Sequence, residues 1–216
     1  MPGSIPPWPG DPIERAAAVA ALGLRRPVPE GAGATLDTLV TDPDPRVRAT
    51  ALAALVRTAG AGAAGRWAGA LADPAPEVRR RACDLAPQVA SGPEDGCLLV
   101  GVLADPDSAV VEAAAWALGE LGPAALSAGA VAGLDALARS HGDPLVREAA
   151  VAALGSLGDP AGLGAVLAAC SDKPAIRRRA VLGLAAFEGP AVDAALRAAL
   201  CDRDWQTRQA AEDLLG

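Results

Sequence analysis

A short motif recurs along the chain at nearly constant intervals, and its most constant part is valine followed by arginine. Each copy follows a turn rich in aspartate and proline and opens a run of alanine and leucine. The position of this valine, the anchor, occurs at six places, with spacings of 31, 32, 36, 30 and 31 residues. The anchors are Val47, Val78, Val110, Val146, Ile176 and Thr207. This regularity predicts a repeat architecture.

Each repeat is predicted to be a pair of helices. In the third repeat, apolar residues at the anchor and at +4, +7, +8 and +11 after it form one helical stripe: Val110, Ala114, Ala117, Leu118 and Leu121. Asp or Ser before this second helix supplies an N-cap, and proline suits the first turn. Leu-Gly pairs predict glycine stops near helix C-termini, at 118–119, 121–122, 154–155 and 157–158. A shorter apolar segment precedes each motif. Because one helical pair cannot bury its own stripe, the pairs must stack.

The motif D-P-x-x-x-V-R-x-x-A-A-x-A-L-x-x-L-G covers about residues 33–216 and is clearest in the third and fourth units. It resembles the HEAT-repeat family, specifically the short bacterial repeats of the type also seen in phycobilin lyases. The resemblance implies an all-α protein, an α-solenoid of about six helical hairpins. We predict an N-terminal arm at 1–11 and one solenoid over 12–216, whose first repeat includes an extra helix at about 12–23. Its repeats are expected at 12–58, 62–90, 93–122, 123–158, 159–187 and 188–216.

The resemblance also implies a ladder of hydrogen bonds between an aspartate and the arginine six residues later, linking neighbouring units. The matching pairs are Asp42 with Arg48, Asp73 with Arg79, and Asp202 with Arg208. A partly buried guanidinium needs a carboxylate or carbonyl partner, so these arginines are expected to be structural. The same holds for Arg177. His141 and Ser171 stand where two other units would carry the aspartate, which predicts an incomplete ladder.

Composition restricts the possible partners. The net charge of −7 and the pI near 4.7 argue against nucleic acid or anionic membrane as a partner. The sequence has no unbroken apolar run long enough to span a membrane and no secretory signal pattern at its start, so we expect a cytoplasmic protein. Four cysteines without a C-x-x-C pair, and His141 as the single histidine, predict no metal site and no cofactor.

A concave groove is the expected binding surface. The resemblance places positions +2, +3, +6 and +10 of each second helix in that groove. The candidate partner-binding residues are Arg81, Glu112, Trp116, Glu120, Arg179 and Trp205. Trp116 replaces a small residue, and a carboxylate lies one turn away on either side, an arrangement suited to a lysine or arginine of a partner. The alternative is that Trp116 packs beneath the insertion at 122–129.

The other arginines and tryptophans carry separate expectations. Arg81 has Asp84 three residues on as a local partner, whereas Arg179 has no acidic residue on its own helix. Arg178 is expected to pair with Glu148 of the preceding unit. Trp67 is expected in the core. Trp8 is interpreted either as part of a peptide ligand or as part of an arm that folds over the first helix.

We predict a non-enzymatic scaffold that binds another protein or peptide in the groove, with no catalytic residues. The alternative is an enzyme on the same scaffold, such as an alkylpurine DNA glycosylase-like or phycobilin lyase-like protein. A glycosylase assay on alkylated duplex, or a colour change with a tetrapyrrole, would discriminate between these classes. The sequence contains no nucleophile–base pair and no phosphate-binding glycine loop, which favours the scaffold.

Overall fold

The computed structural model describes residues 8–216, and these residues form helices and connecting turns without any β-strand. The predicted all-α class is therefore confirmed. The chain divides into two compact units, Met1–Ser91 and Gly92–Gly216. The described helices of the first unit are α1 (Pro12–Leu24), α2 (Ala32–Leu39), α3 (Pro45–Ala59), α4 (Ala64–Ala70) and α5 (Pro76–Val89). No described helix is long and apolar enough to cross a membrane.

The second unit contains nine of the described helices. They are α6 (Pro93–Val102), α7 (Ser108–Leu121), α8 (Pro123–Ser127), α9 (Ala130–Ser140), α10 (Pro144–Leu157), α11 (Leu163–Ala169), α12 (Pro174–Gly183), α13 (Pro190–Ala199) and α14 (Trp205–Leu215). The second helices of this unit pack in chain order, α7 on α10, α10 on α12, and α12 on α14. The first helices α6, α9 and α11 form the other row.

The predicted helical pairs are present at all six anchors, and every anchor side chain is buried. The predicted aspartate N-caps are present in four of the six second helices, where Asp44, Asp107, Asp143 and Asp204 each accept a hydrogen bond from a backbone N–H in the first helical turn. The prediction is wrong for α5 and α12, whose N-cap residues Ala75 and Lys173 make no side-chain cap. The last anchor is polar, but the Thr207 hydroxyl donates to the Asp204 carboxylate at 2.8 Å. A satisfied hydroxyl costs little to bury, so threonine can stand where the other units carry valine or isoleucine.

The predicted N-terminal helix is confirmed as α1. It occupies the place of a second helix in a further repeat. It packs closely on α3, the next second helix. Arg15 holds the place in α1 that Arg48 holds in α3, because it donates to the carboxylate of Asp42 at 2.9 and 3.1 Å. The motif does not identify Arg15 as a ladder residue, because Glu14 stands where the apolar anchor would precede it.

The arginine ladder has a different register from the predicted one. Four ladder arginines each donate through one nitrogen to a backbone carbonyl just before their own helix and through two others to the aspartate carboxylate of the next repeat: Arg15, Arg48, Arg147 and Arg177. Arg48, for example, bonds the Asp42 carbonyl at 3.0 Å and the Asp73 carboxylate at 2.7 and 2.9 Å. A bidentate pair of this kind fixes the distance between adjacent repeats as well as their orientation.

The prediction that Ser171 interrupts the ladder is wrong. Asp172 takes the place, accepting two bonds from Arg147 at 2.7 and 2.9 Å. Arg177 bonds a backbone carbonyl five residues earlier in the chain, whereas Arg147 bonds one six residues earlier. The turn into α12 is therefore one residue shorter than the turn into α10. Between α7 and α10 the rung is absent on both sides: Val111 replaces the arginine and His141 replaces the aspartate. Because the arginine and the aspartate of this rung are both replaced, the substitutions leave neither one buried without the other.

Ladder bonding sets a pH dependence of stability. The hydrogen bonds from Arg177 lower the pKa of Asp202 from its ordinary 3.8 to about 2. A carboxyl whose pKa is lower in the folded state stabilises the fold above about pH 4, and this contribution is lost as the pH falls towards 2. We expect Asp202→Asn to remove about 1–2 kcal/mol of this pH-dependent stability, after allowance for screening by solvent. Thermal melts of both proteins between pH 5 and pH 2.5 should converge at low pH, and parallel curves would contradict the assignment.

Glycines inside the second helices allow close helix contact. The interpretation of Gly119 and Gly155 as helix stops is wrong, because both lie within helices, and the stops are Gly122 and Gly158. A Cβ on Gly155 would lie 2.7 Å from the Cα of Gly183, and one on Gly119 would lie 3.0 Å from the Cα of Ala153. The backbones therefore meet directly where these helices cross.

We expect Gly155→Ala to destabilise the protein by about 1–2 kcal/mol, although alanine is the better helix former, because α10 and α12 would have to separate. The matched control is Gly101→Ala in α6, where an added Cβ meets no atom within 4 Å. That change should be neutral or stabilising by up to about 1 kcal/mol. Urea denaturation followed by circular dichroism measures both, and equal effects would show that the contact does not restrict the fold.

Candidate partner-binding face

The exposed positions of α7, α10 and α12 form one continuous surface within the second unit. We name it the α7–α12 face, and it is defined by Glu112, Trp116, Glu120, Ala152, Arg179 and Leu182. These residues occupy the predicted groove positions +2, +3, +6 and +10. The helices that carry them pack directly on one another. Small residues such as Ala152 on α10 make the middle of the face a depression between the larger side chains of α7 and α12.

Trp116 lies on this face with 44% of its surface exposed. The alternative interpretation, burial beneath the insertion at 122–129, does not match this exposure. The insertion forms α8, which packs on α6, where Gly96 leaves room for the Ala124 carbonyl. Exposure of an indole is costly because most of its surface is apolar. Glu112, half-buried, and Glu120, exposed, lie one turn before and one turn after it.

Two consecutive arginines of α12, Arg178 and Arg179, face opposite neighbours. Arg179 lies 3.6 Å from the Glu148 carboxylate of α10, whereas Arg178 donates to the side-chain carbonyl of Gln206 on α14. The expected pair between Arg178 and Glu148 is therefore wrong. Successive helical residues are rotated by about 100°, so position +2 is directed towards the next helix and +3 towards the preceding one. The distance to Glu148 is longer than a hydrogen bond, and the Arg179 side chain is 47% exposed.

A cleft of about 390 Å³ lies between α10 and α12. Ala152, Gly155 and Ser156 line one side, and Leu182 with Gly183 lines the other. Arg179 also lines it and is its one charged residue. The close approach of Gly155 and Gly183 leaves this region without side chains, which keeps the cleft open. It combines an apolar lining with a cation at one edge.

Two of the candidate residues lie elsewhere. Arg81 is on α5 in the first unit, half-exposed and 3.8 Å from the Asp84 carboxylate, as the sequence predicted. Trp205 begins α14 in the second unit and is 64% exposed. The structure brings Trp116, Glu112 and Glu120 together on α7 and places Arg179 on the same face.

The remaining tryptophans differ from these. Trp67 is fully buried in the first unit, as predicted, and its indole N–H donates to the Ala82 carbonyl at 2.7 Å. Trp8 is half-buried, and the arm residues 1–7 before it lie outside the described residues. The carbonyls of Pro9 and Gly10 each accept a hydrogen bond from Arg15, so the chain just after Trp8 is fixed to α1.

Leu182 also belongs to the face, although it is not among the site residues predicted from the sequence. It shares position +6 with Trp116, and 45% of its surface is exposed. A large apolar residue at a groove position was the available signal. The cleft beside Leu182 gives no comparable signal in the sequence. It depends on the contact between Gly155 and Gly183, which lie in two different repeats.

The thiols and carboxylates of the described residues form no metal-binding group of three or more. All four cysteines are free, and burial raises the pKa of the Cys170 thiol. Cys170 caps the C-terminus of α11 where Leu200 caps that of α13.

Comparison with known proteins agrees with this geometry. A model of HEAT repeats matches residues 131–216, and a single HEAT-repeat model matches residues 97–125. No curated protein matched the chain. The fold is also similar to that of solved structures at low identity. The Escherichia coli YibA protein has a TM-score of 0.72 at 17% identity, with 96% of this chain and 77% of that chain covered.

Two designed or engineered proteins are also similar. A designed armadillo repeat protein in complex with the peptide (KR)4 has a TM-score of 0.63 at 18% identity, with 84% of this chain and 97% of that chain covered. An engineered protein has a TM-score of 0.62 at 22% identity, covering 95% and 90%. The fold and the ladder thus define an α-solenoid repeat protein. Together the two family models match more than half of the residues, and the chain belongs to the HEAT-repeat family.

Proposed function

We propose that this protein is a non-enzymatic interaction module that binds a segment of another protein on the α7–α12 face. The exposure of Trp116 is the observation that carries the proposal. An indole half out of the core, with carboxylates one turn away on both sides, is chemically complementary to a lysine or arginine side chain. Buried aromatic anchors dominate the energetics of most protein interfaces.

The chemistry of the face supports a protein partner over a nucleic acid. The chain carries a net charge of −7, and binding to phosphate backbones depends on a surplus of cations. The similar designed armadillo protein holds a basic peptide, (KR)4, which shows that a related fold can serve as a peptide receptor. The proposal includes a cytoplasmic location, supported by the four free thiols, which a reducing compartment would preserve.

The test uses peptides selected on the intact protein from a random twelve-residue library displayed on phage. Their affinities for the wild type and for Trp116→Ala are then compared by fluorescence anisotropy. We expect Trp116→Ala to weaken binding at least tenfold, since a single aromatic anchor contributes about 2 kcal/mol.

The matched control is Leu98→Ala, which removes another exposed apolar side chain, on the first helix α6. It should leave affinity unchanged. Circular dichroism should show equal helicity and similar melting temperatures for the three proteins, because neither residue is in the core. Peptides that bind Trp116→Ala as tightly as the wild type, but not Leu98→Ala, would move the binding surface to the first-helix row.

A further inference from the structure

The charges on the α7–α12 face are separated by helix. The α7 end carries Glu112 and Glu120 around Trp116, and it has no cation in its exposed positions. The α12 end carries Arg178 and Arg179. Between them, α10 presents small residues and Glu148, which is only partly engaged by Arg179 at 3.6 Å. A partner that crosses the face therefore meets negative charge at one end and positive charge at the other.

The α12 end also differs in shape. The cleft between α10 and α12 has about the volume of a small binding pocket, and its walls are Ala152, Leu182 and the two facing glycines. An aliphatic side chain fits this lining. Arg179 at its edge is half-exposed and makes no hydrogen bond with Glu148. Its guanidinium can therefore donate to a carboxylate of the partner. The α12 end is thus suited to an aliphatic residue next to an acidic one.

The distance between the two ends sets the spacing of the partner residues. Packed helices lie about 8–10 Å apart, so α7 and α12 are separated by two such steps, about 16–20 Å. An extended peptide advances about 3.3 Å per residue. About five or six residues therefore separate the group on Trp116 from a group at Arg179 on α12. The cleft lies between α10 and α12, about one and a half steps or 12–15 Å from α7, so about four residues separate the group on Trp116 from the group in the cleft.

We propose that the partner is an extended protein segment with opposite charges at its two ends. A lysine or arginine lies on Trp116 between Glu112 and Glu120. An aliphatic residue about four positions away enters the α10–α12 cleft, and the next residue, an aspartate or glutamate, pairs with Arg179. This inference rests on the proposed function and specifies the partner chemistry of the same face.

The probes are synthetic ten-residue peptides with blocked termini in a Ser/Gly/Ala background. Each carries one arginine and, four residues away, a leucine followed by a glutamate, with both chain directions made. A second pair replaces the glutamate by lysine, and a third shortens the separation to two residues. Binding to the intact protein is measured by NMR titration, which reports the Trp116 indole and the Leu182 methyl groups separately.

In one chain direction, the peptide with glutamate should shift both reporters and bind about fivefold more tightly than the lysine and short-spaced peptides, the effect of one exposed ion pair. Arg179→Glu should reverse the preference, so that the lysine peptide binds more tightly. Arg179→Gln should abolish the preference without introducing repulsion with Glu148. Unchanged amide spectra would show that both variants keep the fold.

The outcomes separate this inference from the proposed function. If all peptides shift the Trp116 indole equally and Leu182 stays unmoved, the charge-separated segment is overturned while Trp116 remains a binding residue. If no probe shifts either reporter and the phage-selected peptides bind the Trp116→Ala variant normally, both proposals fail. A preference that survives Arg179→Gln would also overturn the role given to Arg179.

Discussion

Replacing Trp67 by alanine should lower the free energy of unfolding by about 3–5 kcal/mol, the largest effect expected for one side chain in this protein. The indole is fully buried between α4 and α5, and its N–H donates to the Ala82 carbonyl at 2.7 Å. Alanine would leave a cavity in a core otherwise made of small aliphatic residues, which have few long side chains to fill it. Urea denaturation followed by circular dichroism at 222 nm measures the loss without depending on tryptophan fluorescence.

Two control variants separate the causes. Trp67→Phe keeps most of the apolar volume and removes the hydrogen bond, so it should cost about 1–2 kcal/mol. Trp205→Ala removes an indole that is 64% exposed and should stay within about 0.5 kcal/mol of the wild type. A loss below about 1 kcal/mol for Trp67→Ala would show that α4 can collapse onto α5 and that the indole does not fix their packing.

The second large effect concerns the ladder. Arg177→Ala should cost about 3 kcal/mol, because the Asp202 carboxylate would lose both charge-assisted bonds while remaining mostly inaccessible to solvent. The neighbouring Arg178 is the matched control, since Arg178→Ala removes an exposed arginine from the same helix turn and should cost less than about 0.5 kcal/mol.

The double variant Arg177→Ala with Asp202→Ala isolates the interaction. Because the second change removes the carboxylate left without its partner, the double variant should be less destabilised than the sum of the two single variants by about 1–3 kcal/mol. Additive losses would show that the two side chains do not act as a pair. The rung would then position the units by packing of the arginine stem alone.

Most of the fold could be predicted because each repeat encodes its own helices. The anchors, the N-cap aspartates and the apolar stripe are local signals, and local periodicity determines which face of a helix is buried. The buried Trp67 followed from the same pattern. The exposure of Trp116 did not, since a large apolar residue at a groove position suits either burial under a loop or contact with a partner.

Contacts between repeats were less predictable. Counting from the anchor fixes positions along one helix, but it does not measure the turn before it. One missing residue in the turn before α12 moved the ladder acid from Ser171 to Asp172. Arg179 reaches Glu148 because neighbouring helices contact each other through different repeat positions, here +3 on α12 and +2 on α10. The glycine contacts at Gly119 and Gly155 follow from the separation of two helices, which no single repeat specifies.

If a partner segment lies on the α7–α12 face, a photoreactive group placed on that face should cross-link to it. Ser156 and Ser140 are both exposed serines near helix C-termini, but Ser156 lines the α10–α12 cleft and Ser140 ends the first helix α9. Benzoylphenylalanine is placed at one or the other position, and the protein is irradiated with a phage-selected peptide. Mass spectrometry should find the peptide joined at position 156 and not at 140. Cross-linking at 140 with none at 156 would show that the segment binds on the first-helix row and not on the α7–α12 face.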